Sequence, residues 1–291
     1  MTIRAAAFIF TMFAFSTSGA MAAEILIHDA KSSPESLTVA PDGSVIAGSA
    51  SSPYVYRVKK GATMADVFID VSGDGPGTSF LGQLADPATN TLWTCELTPG
   101  TKPPARRSSL RGFDLATGKE KLRWNLPGDN SVCNDFSIGP DKALYVSDTA
   151  NAKIYRLAPG AQAADLFMQA KQLDGIDGLT FLDGVLYVNN VIFSKIYRIP
   201  FDASGKPGRP VDIWMDAPVR GPDGMRAANH KLFVAANGSG QVDALTITGD
   251  TAHVTVLKDG LDTPTGIEPS GDTLWLTERG VGKVWSLPLP K

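Results

Sequence analysis

One phrase occurs six times in this chain: a half-apolar strand, a short turn, and a second strand of the Leu-Tyr-Val type. The copies read ESLTVAPDGSVIAGS from Glu35, LGQLADPATNTLWTCE from Leu81, NDFSIGPDKALYVSD from Asn134, DGLTFLDGVLYVNN from Asp177, DGMRAANHKLFVAAN from Asp223 and TGIEPSGDTLWLTE from Thr265. Val45, Leu92, Leu144, Leu186, Leu232 and Leu274 hold one place in each copy, at spacings of about 42 to 52 residues. That is the size of a four-stranded propeller blade, so the repeat predicts an all-β, six-bladed β-propeller.

The repeat also fixes a register. Glu35, Gly82, Asn134, Asp177, Asp223 and Thr265 align at the start of the first strand of each copy. In a propeller that strand lines the central channel, so these six residues should ring one end of one tunnel. Three are carboxylates and one is a carboxamide. Like charges converging in a narrow space call for a cation or a shared proton. Hard oxygen ligands suit a single divalent cation, calcium first, with magnesium, manganese and zinc as alternatives. Glu35, Asp177 and Asp223 are the candidate metal ligands. The plainer reading of each alone is that Asp and Asn make turn hydrogen bonds.

The 291 residues carry a formal charge of −3. No basic stripe occurs, which excludes nucleic acid as the natural partner; a small-molecule substrate is expected instead. Residues 1–23 read as a cleaved signal peptide. Arg4 precedes the apolar AAAFIFTMFAF, and Ala20-Met21-Ala22 is a small-x-small cleavage site. The apolar run is too short for a permanent span, so residues 24–291 form the propeller and no membrane span is expected in the mature protein. The expected location is the periplasm or the cell exterior. Nothing in the sequence sets an oligomeric state. Cys95 closes a second strand and Cys133 precedes Asn134 on the next blade. An oxidising compartment favours a disulfide between them, with two buried thiols as the alternative.

Each copy continues with a third strand (YVYRVKK, SLRGFDL, KIYRLAP, KIYRIPFD, QVDALTI, KVWSLPL). Most have a fourth, outer one (ADVFIDV, KLRWNLP, ADLFMQA, VDIWMDA, AHVTVLK). The last copy stops at Lys291 without an outer strand. EILIHDA, from Glu24, is predicted to supply it and close the ring. The longest irregular stretch, TPGTKPPARR from Thr98, should overhang the same mouth as the acids. The three histidines, His28, His230 and His253, fall on outer strands or in a turn, away from the expected channel.

Four stretches then resemble a known family: Pro34-Glu35-Ser36, Asn134-Asp135, Ile176-Asp177-Gly178-Leu179 and Pro222-Asp223-Gly224-Met225. With the six-blade period, they are similar to the senescence marker protein, gluconolactonase and luciferin-regenerating enzyme family, over essentially the whole mature chain. The resemblance implies a six-bladed propeller with one divalent cation in its channel and, in the lactonase members, hydrolysis of sugar lactones. It implies Glu35 and Asp223 as carboxylate ligands and Asp223 as general base. Asp177 stands where the family usually has a ligand asparagine, and Asn134 matches a substrate-contacting asparagine. A substrate-contacting arginine two residues before the Asn-Asp pair is here Val132, which points away from a sugar pocket and toward a more apolar lactone or ester.

The expected function is therefore a secreted or periplasmic, metal-dependent hydrolase of a lactone or ester, with Asp223 taking the proton of the attacking water. No Gly-x-Ser-x-Gly elbow offers a nucleophile. Two alternatives stand beside it: a non-catalytic, metal-containing propeller that binds a small molecule or a protein, and a propeller enzyme of the strictosidine-synthase or paraoxonase kind.

Overall fold

The computed structural model describes residues 24–27, 32–99 and 106–291. They form six sheets arranged as the blades of a β-propeller. Blades 1 to 6 have as inner strands Pro34–Val39, Ser79–Asp86, Cys133–Ile138, Ile176–Leu182, Pro222–Ala228 and Pro264–Ser270. Each pairs antiparallel with the Leu-Tyr-Val-type strand that follows it, and that strand with the third. The ring closes as the sequence predicts. Glu24–Leu26 pairs antiparallel with Lys283–Pro288 and becomes the outer strand of blade 6. The leader read over residues 1–23, and His28, lie outside the described residues.

The core is divided among the seams between blades. Among the described residues six apolar clusters occur, one per seam, and the last to first seam is filled by Ile25, Ile27, Leu37, Val45, Tyr56 and Val284. The repeat-marking residues Leu92, Leu186, Leu232 and Leu274 are fully buried there, and Val45 and Leu144 nearly so. Alternation along the second strand sends every other side chain into a seam, which is why that apolar position recurs.

Two details differ from the sequence reading. VDIWMDA is not one strand. Val211–Asp212 pairs with blade 4, and Trp214–Met215 runs parallel to Thr251–Lys258 at the outer edge of blade 5. Between them Ile213 turns into the seam of the two blades and is buried, so the segment crosses from one to the other. The stretch after Thr98 is also more regular than expected. Thr98 pairs with Arg107 and Pro99 with Arg106, so the hairpin of blade 2 extends its ladder past the start of its inner strand. Residues 100–105 lie outside the described residues.

Candidate functional site

Every inner strand carries the same irregularity at the same place. In blade 1, Pro34 pairs with Ser49 and Leu37 with Ala47, so Glu35 and Ser36 together oppose Gly48. The other five blades have the same β-bulge after Phe80, Cys133, Ile176, Pro222 and Pro264. A bulge bends the strand and re-aims two consecutive side chains. The first bulge residues are Glu35, Leu81, Asn134, Asp177, Asp223 and Thr265. The second are Ser36, Gly82, Asp135, Gly178, Gly224 and Gly266. This corrects the sequence alignment in blade 2, where Leu81 and not Gly82 is the equivalent of the acids.

The glycines at the second position answer to crowding around the channel. A Cβ on Gly178 would stand 2.7 Å from the carbonyl oxygen of Asp223, and one on Gly224 would stand 2.4 Å from that of Thr265. Such distances are closer than a side chain tolerates, so the Asp-Gly pairs here mark neighbouring backbones in contact and not hairpin turns.

Each of the three acids is further fixed by a side chain from the preceding blade. Ser147 takes the N–H of Asp135 (2.9 Å) and gives its hydroxyl to the carbonyl of Asp177 (2.8 Å). Asn189 takes the N–H of Gly178 (2.9 Å) and donates to the carbonyl of Asp223. Thr277 takes the N–H of Gly266 (2.6 Å) and bonds the carbonyl of Glu35 (3.1 Å). These groups occupy one position of the second strand. Cys95 holds it in blade 2 and bridges the same kind of seam covalently, in a disulfide with Cys133 at a Cα separation of 5.2 Å. Buried backbone carbonyls are thereby satisfied, and the acids are set in place from two blades at once.

The result is a buried cluster at one end of the channel. Glu35, Asn134, Asp177 and Asp223 line one cavity of about 10 Å³, together with Ser36, Gly82, Asp135, Gly224 and Thr265. That is room for about one water or one ion. Asn134 Nδ2 donates to Asp177 Oδ2 (2.8 Å) and to Thr149 Oγ1 (3.0 Å). Asn237 Nδ2 donates to Asp223 Oδ2 (3.1 Å). No ion pair to Glu35, Asp177 or Asp223 occurs among the described residues.

All three carboxyls are held well above their ordinary range. Burial is the main cause in each case, followed by the charge of Asp177 for Glu35, of Asp223 and Asp135 for Asp177, and of Glu35 for Asp223. Arg279 acts in the opposite direction on all three. Among the described residues no three His, Cys, Asp or Glu side chains form a ready-made metal centre. The fit to a cation lies in the donor chemistry: three repelling oxygen acids around a cavity of ionic size, with no side-chain cation of the described residues bonded to any of them.

Just below lies a second ionic layer that the sequence reading missed. Arg226 binds Asp135 through two bonds (2.6 and 2.9 Å) and Glu268 through Nε (3.2 Å). Burial alone would lower the Arg226 pKa, but the charges and hydrogen bonds of Asp135 and Glu268 raise it overall. Burial pushes Glu268 up to about 7, against the lowering charge of Arg226, and the like charge of Asp135 adds to the rise. Arg226 follows Asp-Gly-Met in sequence and is separated from Asp135 by 91 residues, so only the alignment of inner strands across blades could have found the pair. His230 and His253 are exposed and face Asp183 and Asp216, away from this site.

No protein-family model matches the chain, and no curated protein matches it in sequence. Solved structures do match. A gluconolactonase from Xanthomonas campestris superposes with a TM-score of 0.70 at 18% identity, over 96% of this chain and 94% of that one. Virginiamycin B lyase from Staphylococcus aureus gives 0.64 at 16%, over 93% and 99%. The PQQ-bound aldose sugar dehydrogenase of Streptomyces coelicolor gives 0.63 at 17%, over 92% and 98%. The likeness is one of fold. This is a six-bladed propeller, a scaffold shared by the gluconolactonase, the lyase and the dehydrogenase. No helix of the described residues is long and apolar enough to cross a membrane.

Proposed function

We infer that the protein is a divalent-metal-dependent hydrolase of a lactone or ester that acts in the periplasm or outside the cell. The observation that carries this reading is the convergence of Glu35, Asp177 and Asp223 on one buried cavity without a bonded counter-ion. The gluconolactonase fold supports it. Glu35, Asp177 and Asp223 would hold the cation, calcium first among the candidates. When bound, it would polarise the substrate carbonyl, acidify water and compensate the charge of the acids.

The chain's own groups do the rest. Asn237 occupies Oδ2 of Asp223 and leaves the other oxygen to take the proton of the attacking water. Both amide hydrogens of Asn134 are spent on Asp177 and Thr149, so its carbonyl oxygen is what remains to meet a substrate hydroxyl. The anchored backbones of Asp177 and Asp223 keep these groups from rotating away from the cavity.

A screen of simple lactones and aryl esters against the purified protein, with and without added divalent ions, tests the reading. Cation-dependent hydrolysis is expected. Asp223→Ala should keep the fold by circular dichroism and lose about 10²- to 10⁴-fold in kcat/KM. A cation that raises thermal stability without turnover of any substrate would make the protein a binding module instead.

A further inference from the structure

Above the ring of acids stands a second ring. In five blades the residue that leaves the second strand donates its backbone N–H to the residue two places before the first bulge position. Ala50 bonds Ser33, Thr149 bonds Val132, Val191 bonds Gly175, Asn237 bonds Gly221 and Arg279 bonds Thr263, all at 2.9 to 3.1 Å. The shared bond puts these five residues at equivalent places on their blades, next to the first bulge positions. Two of them reach the lower ring, where Thr149 accepts from Asn134 and Asn237 donates to Asp223. Ala50 and Val191 bring nothing polar.

The fifth is Arg279, at the equivalent place on blade 6. It is half-buried, and its charge acts on Glu35, Asp177 and Asp223 alike. No hydrogen bond or ion pair to its guanidinium occurs among the described residues.

Most hydrogen-bond donors around the acids are already committed. Ionised Glu35, Asp177 and Asp223 only accept. Asn134 has spent both amide hydrogens, and Asn237 has one on Asp223. Thr265 gives its hydroxyl to the carbonyl of Glu35 at 2.5 Å. Arg226 is committed to Asp135 and Glu268 below. A lactone or ester presents acceptor oxygens, so a mouth rich in acceptors needs a donor. Arg279 is a charged donor there whose guanidinium has no bonded partner among the described residues, and a guanidinium grips a carboxylate in two parallel bonds.

We propose that Arg279 is a substrate-binding residue that sets specificity, and that the natural substrate carries a carboxylate in addition to its lactone or ester bond. The word lactone rests on the hydrolase reading above; the anion site rests on Arg279. Three carboxylates at the same mouth would turn an anion away when no cation compensates them. Arg279 gives such a substrate one fixed attachment, on blade 6, beside the base on blade 5.

The test compares the γ-lactone of hydroxyglutarate with the methyl ester of that lactone, which removes the anion and keeps the ring. Wild type, Arg279→Met and Arg279→Lys are assayed with cation present. The Met variant should lose about tenfold to a hundredfold in kcat/KM on the carboxylate lactone, mainly through KM. The loss on the methyl ester should be at least about fivefold smaller, and Lys should recover part of the difference. Calorimetric titration with hydroxyglutarate, the ring-opened acid, should show the same ranking at equilibrium. Equal losses on both lactones, or none on either, would overturn the proposal. If neither lactone is hydrolysed with any cation, the hydrolase reading fails and calorimetry decides the anion site separately. Tighter binding of hydroxyglutarate to wild type than to Arg279→Met upholds it, and equal or absent binding ends it.

Discussion

Two layers of one channel, a bulge apart, treat charge in opposite ways. The lower layer pairs Arg226 with Asp135 and Glu268. The upper layer gathers Glu35, Asp177 and Asp223, and no cation among the described residues is bonded to them. The lower layer is a finished structure whose desolvated charges answer one another. The upper layer is incomplete: its acids are anchored through their backbones, and their charges wait for something from outside. A fold that can seal a buried guanidinium against two acids has the means to neutralise the acids above it. That it leaves them unpaired separates a structural layer from a functional one.

Substitutions that exchange these conditions should have opposite signs. Arg226→Met would leave Asp135 and Glu268 buried without a partner and should destabilise the protein by about 3–5 kcal/mol in urea unfolding. A loss below about 1 kcal/mol would mean that the lower layer is not the lock described here. Asp177→Asn removes a charge from the repelling layer. In chelator-treated protein it should raise stability by about 1–2 kcal/mol. Saturating calcium should reverse the order, because wild type gains about 2.7 kcal/mol at a hundredfold excess over Kd and the variant gains less. The same ranking with and without cation would erase the distinction between the layers.

Stability should also depend on pH. An acid whose folded pKa is raised binds its proton more tightly folded than unfolded, so its contribution to stability is lost as pH rises through the folded value. For Glu268 that window runs from about 4.5 to about 7, and the mouth acids shift in the same direction. Cation-free protein should therefore have a falling urea midpoint over that range. Glu268→Gln should flatten the fall in part and leave the mouth's share. Away from both layers, Asp243 is a fully buried acid whose oxygens have no hydrogen-bond partner among the described residues, and burial raises it to about 6. Asp243→Asn should remove its own share of the slope without altering cation binding, which makes it a control for burial alone.

The fold was legible in the chain because one apolar position, from Val45 to Leu274, fills a seam in every blade, and a seam tolerates little else. The closing strand at Glu24 was legible by subtraction, since the last repeat lacks an outer strand. The mouth was legible where carboxylates mark it. In blade 2, where Leu81 takes the same position, nothing in the side chain gave the register away, and the neighbouring Gly82 aligned falsely. The anchors Ser147, Asn189 and Thr277 read as ordinary strand residues because each bonds a carbonyl on the next blade. Arg279 went unread for a similar reason: its place over the channel depends on a turn bond to Thr263. Contacts made across blades leave no local pattern, while contacts repeated within every blade do.

The most direct measurement is a calorimetric titration of calcium into chelator-stripped protein, alongside Glu35→Gln, Asp177→Asn and Asp223→Asn. One cation per chain is expected, with each variant binding at least about tenfold more weakly, since each removes a charged oxygen ligand. Saturable binding of equal strength in all four proteins, or no binding of calcium, magnesium, manganese or zinc to wild type, would contradict the account.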